Sequence, residues 1–177
     1  MAMTELEQHY NKFNEEKRLD SRHGRVEFIT SMKYIHNCLD DIKAAMDIAS
    51  DIKILDIGAG TGSVTVELAL HALYGTVYAV ERTEEGCSLI AKNAEKFGLN
   101  NIEIIHGNAA AVIDSLPVPD KVFIGGSGGE LEYIFSSILK KNPYVHIVVT
   151  AVTLETLNDT ISLMEKDGMN VLDIVQI

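Results

Sequence analysis

Three glycines stand close together in a segment that could bind a nucleotide. They are Gly58, Gly60 and Gly62, within the run LDIGAGTGS at residues 55–63. Because glycine has no Cβ and tolerates positive φ, such a loop brings its backbone close to a ligand. The pattern G-x-G-x-G behind the acidic Asp56 is typical of a nucleotide-type loop. Three glycines between a strand and a helix are also compatible with a simple tight turn.

An acidic residue further along the chain adds to this interpretation. Glu81 lies at the end of the next β-rich run, 25 residues after Asp56. At the carboxyl edge of a parallel sheet, its two oxygens could accept hydrogen bonds from ribose hydroxyls. The alternative is a solvated carboxylate at a strand end. The first loop lacks the third glycine of G-x-G-x-x-G, which disfavours NAD.

A second glycine-rich segment, VFIGGSGG at residues 122–129, follows a later strand pattern. Four glycines in five residues leave an open surface that suits a flat, bulky substrate. The alternative is an ordinary glycine-rich loop. The segment AVTLETL at residues 151–157 follows the next strand and faces the same edge of the predicted sheet. The sequence shows no Ser-His-Asp set and no paired catalytic acids, so it identifies no catalytic side chain. Cys38 and Cys87 stand alone, without C-x-x-C spacing or neighbouring His ligands, so we predict no metal site.

These loops need strands and helices to position them, and the hydrophobic pattern supplies both. Short runs rich in Val, Ile and Tyr alternate with segments whose apolar residues recur every three or four positions. The predicted strands are 52–57, 76–81, 102–106, 121–124, 146–150 and 171–177, and the predicted helices are 63–73, 84–97, 109–115, 131–139 and 154–166. This alternation predicts an α/β fold with a doubly wound, mostly parallel, Rossmann-like sheet.

The first fifty residues differ from the rest of the chain. Residues 4–20 are rich in Glu, Lys and Asn, and residues 26–39 form an amphipathic helical pattern. We predict one domain over residues 1–177, in which residues 1–50 form an N-terminal arm and helix and residues 51–177 form the cofactor-binding α/β core.

The composition excludes several classes of function. The 177 residues include 15 Lys and Arg against 26 Asp and Glu, a net charge of −11 that disfavours nucleic-acid binding. No apolar run approaches the roughly 20 residues that a membrane span needs, and the N-terminus lacks an export pattern. We therefore expect a cytoplasmic protein with no membrane partner.

The motifs D-I-G-A-G-T-G-S, V-Y-A-V-E and G-N-A resemble those of class I S-adenosylmethionine-dependent methyltransferases over residues 50–150. The resemblance implies S-adenosylmethionine as the cofactor, with its methionine part beside the first glycine run, its ribose on Glu81 and its adenine near Asn108. Many members have Asp where this chain has Asn108, whose carbonyl oxygen would then meet the adenine amino group. The implied cofactor-binding residues are Asp56, Gly58, Ala59, Gly60, Thr61, Gly62, Glu81, Arg82, Asn108 and Ala109.

The segments F-I-G-G-S-G-G and A-V-T-L-E-T resemble the decarboxylating cobalt-precorrin-6B C15-methyltransferases of cobalamin biosynthesis. This resemblance implies a tetrapyrrole substrate that is methylated at C15 and decarboxylated. The implied substrate-binding residues are Gly125, Gly126, Ser127, Gly128, Gly129, Thr150 and Thr153. Two alternatives remain open: a methyltransferase for another small molecule, suggested by the N-terminal arm, and a cofactor-binding fragment without turnover, suggested by the scarcity of arginine.

The C-terminal segment suggests an assembly. The superfamily sheet usually finishes with an antiparallel hairpin, and this sequence stops after the first strand of one, so we expect the final strand to be missing. An uncovered, apolar strand at 171–177 would favour a partner at the sheet edge. We therefore predict a homo-oligomer. The alternative is a monomer in which residues 4–20 cover that edge.

Overall fold

The computed structural model describes Met46 and residues 51–166, which belong to one compact unit. The predicted polar arm at 4–20, helix at 26–39 and strand at 171–177 lie outside the described residues. The expected absence of a final hairpin strand and the division of the chain at residue 50 therefore stay predictions. No helix among the described residues is long and apolar enough to cross a membrane.

Five strands form one parallel sheet in the order β3-β2-β1-β4-β5, and helices connect them. The strands are β1 Lys53–Ile57, β2 Thr76–Glu81, β3 Ile102–His106, β4 Lys121–Ile124 and β5 His146–Val149. The helices are α1 Ser63–His71, α2 Glu84–Lys96, α3 Ala109–Val112 with a 3-10 turn Ile113–Ser115, α4 Leu131–Lys141 and α5 Leu154–Lys166. This arrangement confirms the predicted Rossmann-like α/β fold.

The core explains why the central strands are so apolar. In β1, Ile54, Leu55 and Ile57 are all almost fully buried, on both faces of the strand. Central strands of a parallel sheet are covered by helices on both sides and therefore read as continuous hydrophobic runs. On the helical side, Phe135 of α4 packs into the same core as Leu55 and Ile57.

Four helices end at positions that differ from the prediction, and the one predicted at 84–97 differs least, because it ends one residue earlier at Lys96. The helix predicted at 63–73 ends at His71, because Ala72 adopts a non-helical conformation before the turn at Gly75. The segment predicted at 109–115 is a short α3 plus a 3-10 turn, followed by extended Leu116. The helix predicted at 131–139 continues to Lys141 and stops before extended Asn142. Leu116 and Asn142 each precede a proline, which disfavours the helical conformation.

The strand order places the functional loops together. The chain proceeds outward from β1 to β2 and β3, then returns to the other side of β1 to form β4 and β5. The crevice beyond the carboxyl ends of β1 and β4 is therefore the topological switch point of the sheet. Ligands of open α/β sheets bind at such points.

Candidate functional site

The loops that follow β1 and β4 touch each other at this switch point. We call residues 58–62 the first glycine loop and residues 125–129 the second glycine loop. The backbone amides of Gly125 and Gly126 donate hydrogen bonds to the Ile57 carbonyl at 2.9 and 3.3 Å. A Cβ on Gly58 would lie 2.5 Å from the Gly126 oxygen. The two loops therefore meet backbone to backbone, and only glycine fits at position 58.

The first glycine loop folds over the end of β2 and leaves one side open. The amides of Gly58 and Ala59 both donate to the Val80 carbonyl, at 3.0 and 3.1 Å. Gly60 has a φ of +57°, and the nearest atom to a Cβ placed there would be 4.0 Å away. Gly62 precedes α1 with a φ of +83°, and Thr61 beside it is exposed. The loop thus offers exposed backbone at Gly60, as a bound nucleotide requires.

Glu81 connects the first glycine loop to the start of α2. Its Oε2 accepts a hydrogen bond from the Gly60 amide at 2.9 Å, and its Oε1 accepts from the Thr83 amide and hydroxyl at 2.9 and 2.7 Å. Burial raises the pKa of Glu81, but the hydrogen bonds from Thr83 and Gly60 outweigh it, so its pKa lies below the ordinary value. The side chain is therefore an ionised carboxylate at neutral pH.

The predicted ribose contact must share this carboxylate with protein donors. An ionised carboxylate offers about four lone-pair positions, and three protein hydrogen bonds already use most of them. One position is left for a ribose hydroxyl, and a second contact would require Thr83 or Gly60 to yield. The role of Glu81 in binding ribose stays a prediction, and the structure adds a role in shaping the loop.

Asp56 is fully buried beneath the first glycine loop and has an oxygen without a hydrogen-bond partner. Thr65 donates to its Oδ2, whereas Oδ1 has no partner among the described residues. Burial raises the pKa of Asp56 to about 7; the Thr65 hydrogen bond lowers it in part, and the negative charge of Glu81 raises it further. Buried polar atoms are nearly always paired, so Oδ1 is a candidate contact for a cationic or hydrogen-bond-donating ligand group.

Asn108 connects the predicted adenine loop to Glu130, the residue that follows the second glycine loop. Its Oδ1 accepts from the amides of Ala110 and Ala111 at 2.8 and 3.4 Å and thereby caps α3, which begins at Ala109. Its Nδ2 donates to Glu130 Oε2 at 2.7 Å. An aspartate at position 108 would place a second carboxylate against Glu130, so the repulsion between the two explains why an amide is favoured here. The predicted contact from Oδ1 to adenine would have to share that atom with the helix cap.

A pocket of about 240 Å³ lies between the loops that follow β4 and β5. It brings together six of the seven predicted substrate-binding residues, namely Gly125, Gly126, Ser127, Gly128, Gly129 and Thr150. The remaining pocket residues are Ile124, Leu131, Val149, Val152 and Thr156. Of these, Val152 and Thr156 belong to the AVTLETL segment, which could have indicated them.

Thr153, the seventh predicted substrate-binding residue, does not line the pocket. Its hydroxyl oxygen accepts a hydrogen bond from the Thr156 amide at 3.1 Å and lies 3.0 Å from the Thr156 hydroxyl. These contacts place Thr153 at the start of α5, where it orders the first turn. Its contribution to the pocket is thus through the position of Thr156.

Two polar residues near the site have structural roles. His106 lies 3.1 Å from the backbone oxygen of Arg82, so its ring connects the ends of β2 and β3. Tyr133 of α4 donates to Asp114 Oδ2 at 2.9 Å. Arg82 itself is exposed beside the first glycine loop. Neither His106 nor Tyr133 lines the pocket.

The fold is that of a Rossmann-like domain, a class whose ligands bind at the switch point of a parallel sheet. The family model described as "precorrin methyltransferase domain" matches residues 43–176. The chain belongs to this family, which confirms the resemblance seen in its motifs.

Individual relatives agree with this assignment. A protein of Saccharolobus solfataricus named probable cobalt-precorrin-6B C(15)-methyltransferase (decarboxylating) is 42% identical over 131 residues, which cover 71% of this chain and 65% of the relative. A second, from Sulfurisphaera tokodaii and with the same name, is 39% identical over 127 residues, which cover 71% of this chain and 66% of the relative. This chain thus spans about two thirds of the length of these curated relatives.

Solved structures show the same fold. The crystal structure of precorrin-6y C5,15-methyltransferase from Geobacter metallireducens is 34% identical with a TM-score of 0.70, covering 73% of this chain and 70% of that one. The structure of precorrin 8w decarboxylase from Methanobacterium thermoautotrophicum is 32% identical with a TM-score of 0.71, covering 76% of this chain and 72% of that one.

Proposed function

We propose that this protein is an S-adenosylmethionine-dependent methyltransferase that methylates C15 of a cobalt-precorrin tetrapyrrole and decarboxylates it, in cobalamin biosynthesis. The observation that carries the proposal is the backbone contact between the two glycine loops. It places a pocket lined by the F-I-G-G-S-G-G segment directly beside the loop that resembles a cofactor site. The names of the relatives support the same reaction.

The residues around the first glycine loop fit the proposed cofactor. Gly60 has an open side that a bulky side chain would fill, and Asp56 has a buried oxygen that lacks a partner among the described residues. We assign the methionine part of the cofactor to this loop, its ribose to Glu81 and its adenine to the turn at Asn108. When bound, S-adenosylmethionine would supply a methyl group on a sulfonium, which an electron-rich carbon accepts without strong acid–base help.

The second glycine loop and the start of α5 would position the acceptor. The hydrogen bonds from Thr150 to the Ile124 carbonyl, at 3.0 Å from the amide and 3.3 Å from the hydroxyl, fix one wall of the pocket. Orientation and exclusion of water contribute most of the rate in this proposal. In this proposal the acceptor carbon would donate an electron pair to the methyl carbon while the carbon–sulfur bond breaks and S-adenosylhomocysteine leaves. A side-chain carboxylate would then leave as carbon dioxide, and the electrons of the broken carbon–carbon bond would neutralise the positive charge on the ring system.

Two assays separate this proposal from its alternatives. Calorimetry with S-adenosylhomocysteine tests the cofactor site, and incubation with S-adenosylmethionine and cobalt-precorrin-6B, followed by mass spectrometry, tests turnover. The proposal requires both binding and a product. Binding without any product would favour a cofactor-binding fragment, and conversion of a different small molecule alone would favour the other enzyme.

We further propose that the protein acts as a homo-oligomer in the cytoplasm. The exposed apolar side chain of Leu154, the first residue of α5, supports association, since it is 85% exposed. Light scattering coupled to gel filtration tests the oligomer. A single species of 19.4 kDa across micromolar concentrations would contradict it.

A further inference from the structure

Gly126 differs from the other glycines of the two loops because the fold does not require it. Its φ is not positive, and a Cβ placed on it would meet no atom within 4 Å. By contrast, a Cβ on Gly58 would overlap the backbone of the second glycine loop, and one on Gly125 would lie 3.3 Å from the Gly58 oxygen. Gly128 and Gly129 have φ values of +63° and +88°, which favour glycine.

The backbone at Gly126 is shared by the two candidate sites. Its N, Cα and O atoms are the nearest neighbours of a Cβ on Gly58, so it packs directly on the first glycine loop. The same residue lines the pocket of about 240 Å³. A side chain at Gly126 would therefore meet open space next to the point where the pocket adjoins the first glycine loop.

The second glycine loop is anchored where this side chain would begin. The amides of Gly125 and Gly126 both donate to the Ile57 carbonyl at the end of the central strand. Because Gly58 lies directly against Gly126, the backbone has no room to withdraw in that direction. Added atoms at position 126 would therefore extend into space that no neighbouring protein atom fills.

We propose that Gly126 is a specificity-determining residue, against whose bare Cα a flat acceptor lies as it approaches the methyl donor. This inference rests on the proposed function, because it takes the acceptor to be a tetrapyrrole. A side chain at this position would separate the acceptor from the first glycine loop and select for narrower molecules. The other glycines would keep the loops in contact, and Gly126 would admit the wide substrate.

The variants Gly126→Ala and Gly126→Val, made in the full chain, test this role. Binding of cobalt-precorrin-6B is followed by its visible absorbance in saturating S-adenosylhomocysteine, cofactor affinity by calorimetry, and stability by thermal unfolding. We expect the melting temperature and the S-adenosylhomocysteine Kd to stay within error of wild type. The acceptor Kd should rise about tenfold for alanine and further for valine, the scale of overpacking a fitted site.

Gly98→Ala serves as the matched control. Gly98 follows α2 with a φ of +65°, and a Cβ placed on it would meet no atom within 4 Å, so alanine there strains the backbone away from the pocket. This variant should melt earlier and bind the acceptor normally. Unchanged acceptor binding by Gly126→Val would overturn the inference and leave the proposed function standing, as would a loss of stability in Gly126→Ala equal to that in Gly98→Ala. Failure of the wild-type protein to bind cobalt-precorrin-6B would refute the proposed function, and the inference with it.

Discussion

Replacing Glu81 by glutamine should weaken cofactor binding strongly while changing few atoms. The amide oxygen of glutamine could still accept from the Thr83 amide and hydroxyl. Its NH2 group would then face the Gly60 amide, which now donates to Glu81 Oε2 at 2.9 Å. Two donors cannot pair, so the first glycine loop would lose its connection to α2.

The size of the effect follows from this single contact. A hydrogen bond to a charged group contributes about 1.5–3 kcal/mol, and Glu81 is only 7% exposed, so water does not readily replace the lost acceptor. If the loop conformation limits cofactor affinity, the Kd for S-adenosylhomocysteine should rise about ten- to a hundredfold. Any hydrogen bond from ribose to the carboxylate would weaken in the same variant.

Isothermal titration calorimetry with S-adenosylhomocysteine measures this change, and Glu84→Gln is the matched control. Glu84 lies in the first turn of α2, three residues further on, and is exposed. The control should bind like wild type.

Because the pKa of Glu81 is lowered in the folded protein, the contribution of this carboxylate to stability is complete above pH 4.5 and declines as the pH falls through the folded pKa. Equal affinity of Glu81→Gln and wild type at about pH 7.5, where the carboxylate is ionised, would refute the reasoning.

Three further substitutions test the loops around the site. Asp56→Asn should raise the free energy of unfolding by about 1–3 kcal/mol at pH 8 and by less at pH 5. The reason is the raised pKa of Asp56, which makes the buried carboxylate increasingly destabilising as the pH rises toward 7. Chemical denaturation at pH 5 and pH 8 measures the change, and an equal gain in stability at the two pH values would contradict the reasoning. Gly58→Ala should destabilise the protein by more than the roughly 1–2 kcal/mol expected of Gly98→Ala. The added Cβ would lie 2.5 Å from the Gly126 oxygen, and equal melting temperatures of the two variants would contradict the loop contact. Asn108→Asp should lower the free energy of unfolding by about 1 kcal/mol, because the new carboxylate would be repelled by Glu130, and adding Glu130→Gln should restore that stability. A double-mutant cycle that shows no coupling between the two positions would disprove the contact.

Much of the sheet could be predicted because its strands are short apolar runs bounded by turn residues. Strand β1 pairs with β2 on one side and β4 on the other. Helices cover both faces of such central strands, so the residues of these three strands are mostly hydrophobic. Helix ends were less accurate, since periodicity does not state where a pattern stops. The prolines that follow Leu116 and Asn142 indicate two of these helix ends, because a residue before proline disfavours the helical conformation.

The part of the candidate site that could be predicted is formed by residues that directly follow a strand. Motifs that end parallel strands reach the same sheet edge, so the sequence places Thr150 and the second glycine loop together, and the pocket contains them. Contacts between distant residues could not be read in this way. Asn108 pairs with Glu130 and Glu81 with Gly60 because the tertiary fold brings them within reach, and neither pair has a sequence signature.

Joint measurement of methyl transfer and carbon dioxide release tests the central claim most directly. The protein would be incubated with S-adenosylmethionine carrying a deuterated methyl group and with cobalt-precorrin-6B, and the tetrapyrrole and the released gas would be analysed by mass spectrometry. The account predicts a product that has gained one labelled methyl group for each carbon dioxide released. Unchanged tetrapyrrole, from protein that binds S-adenosylhomocysteine, would contradict it.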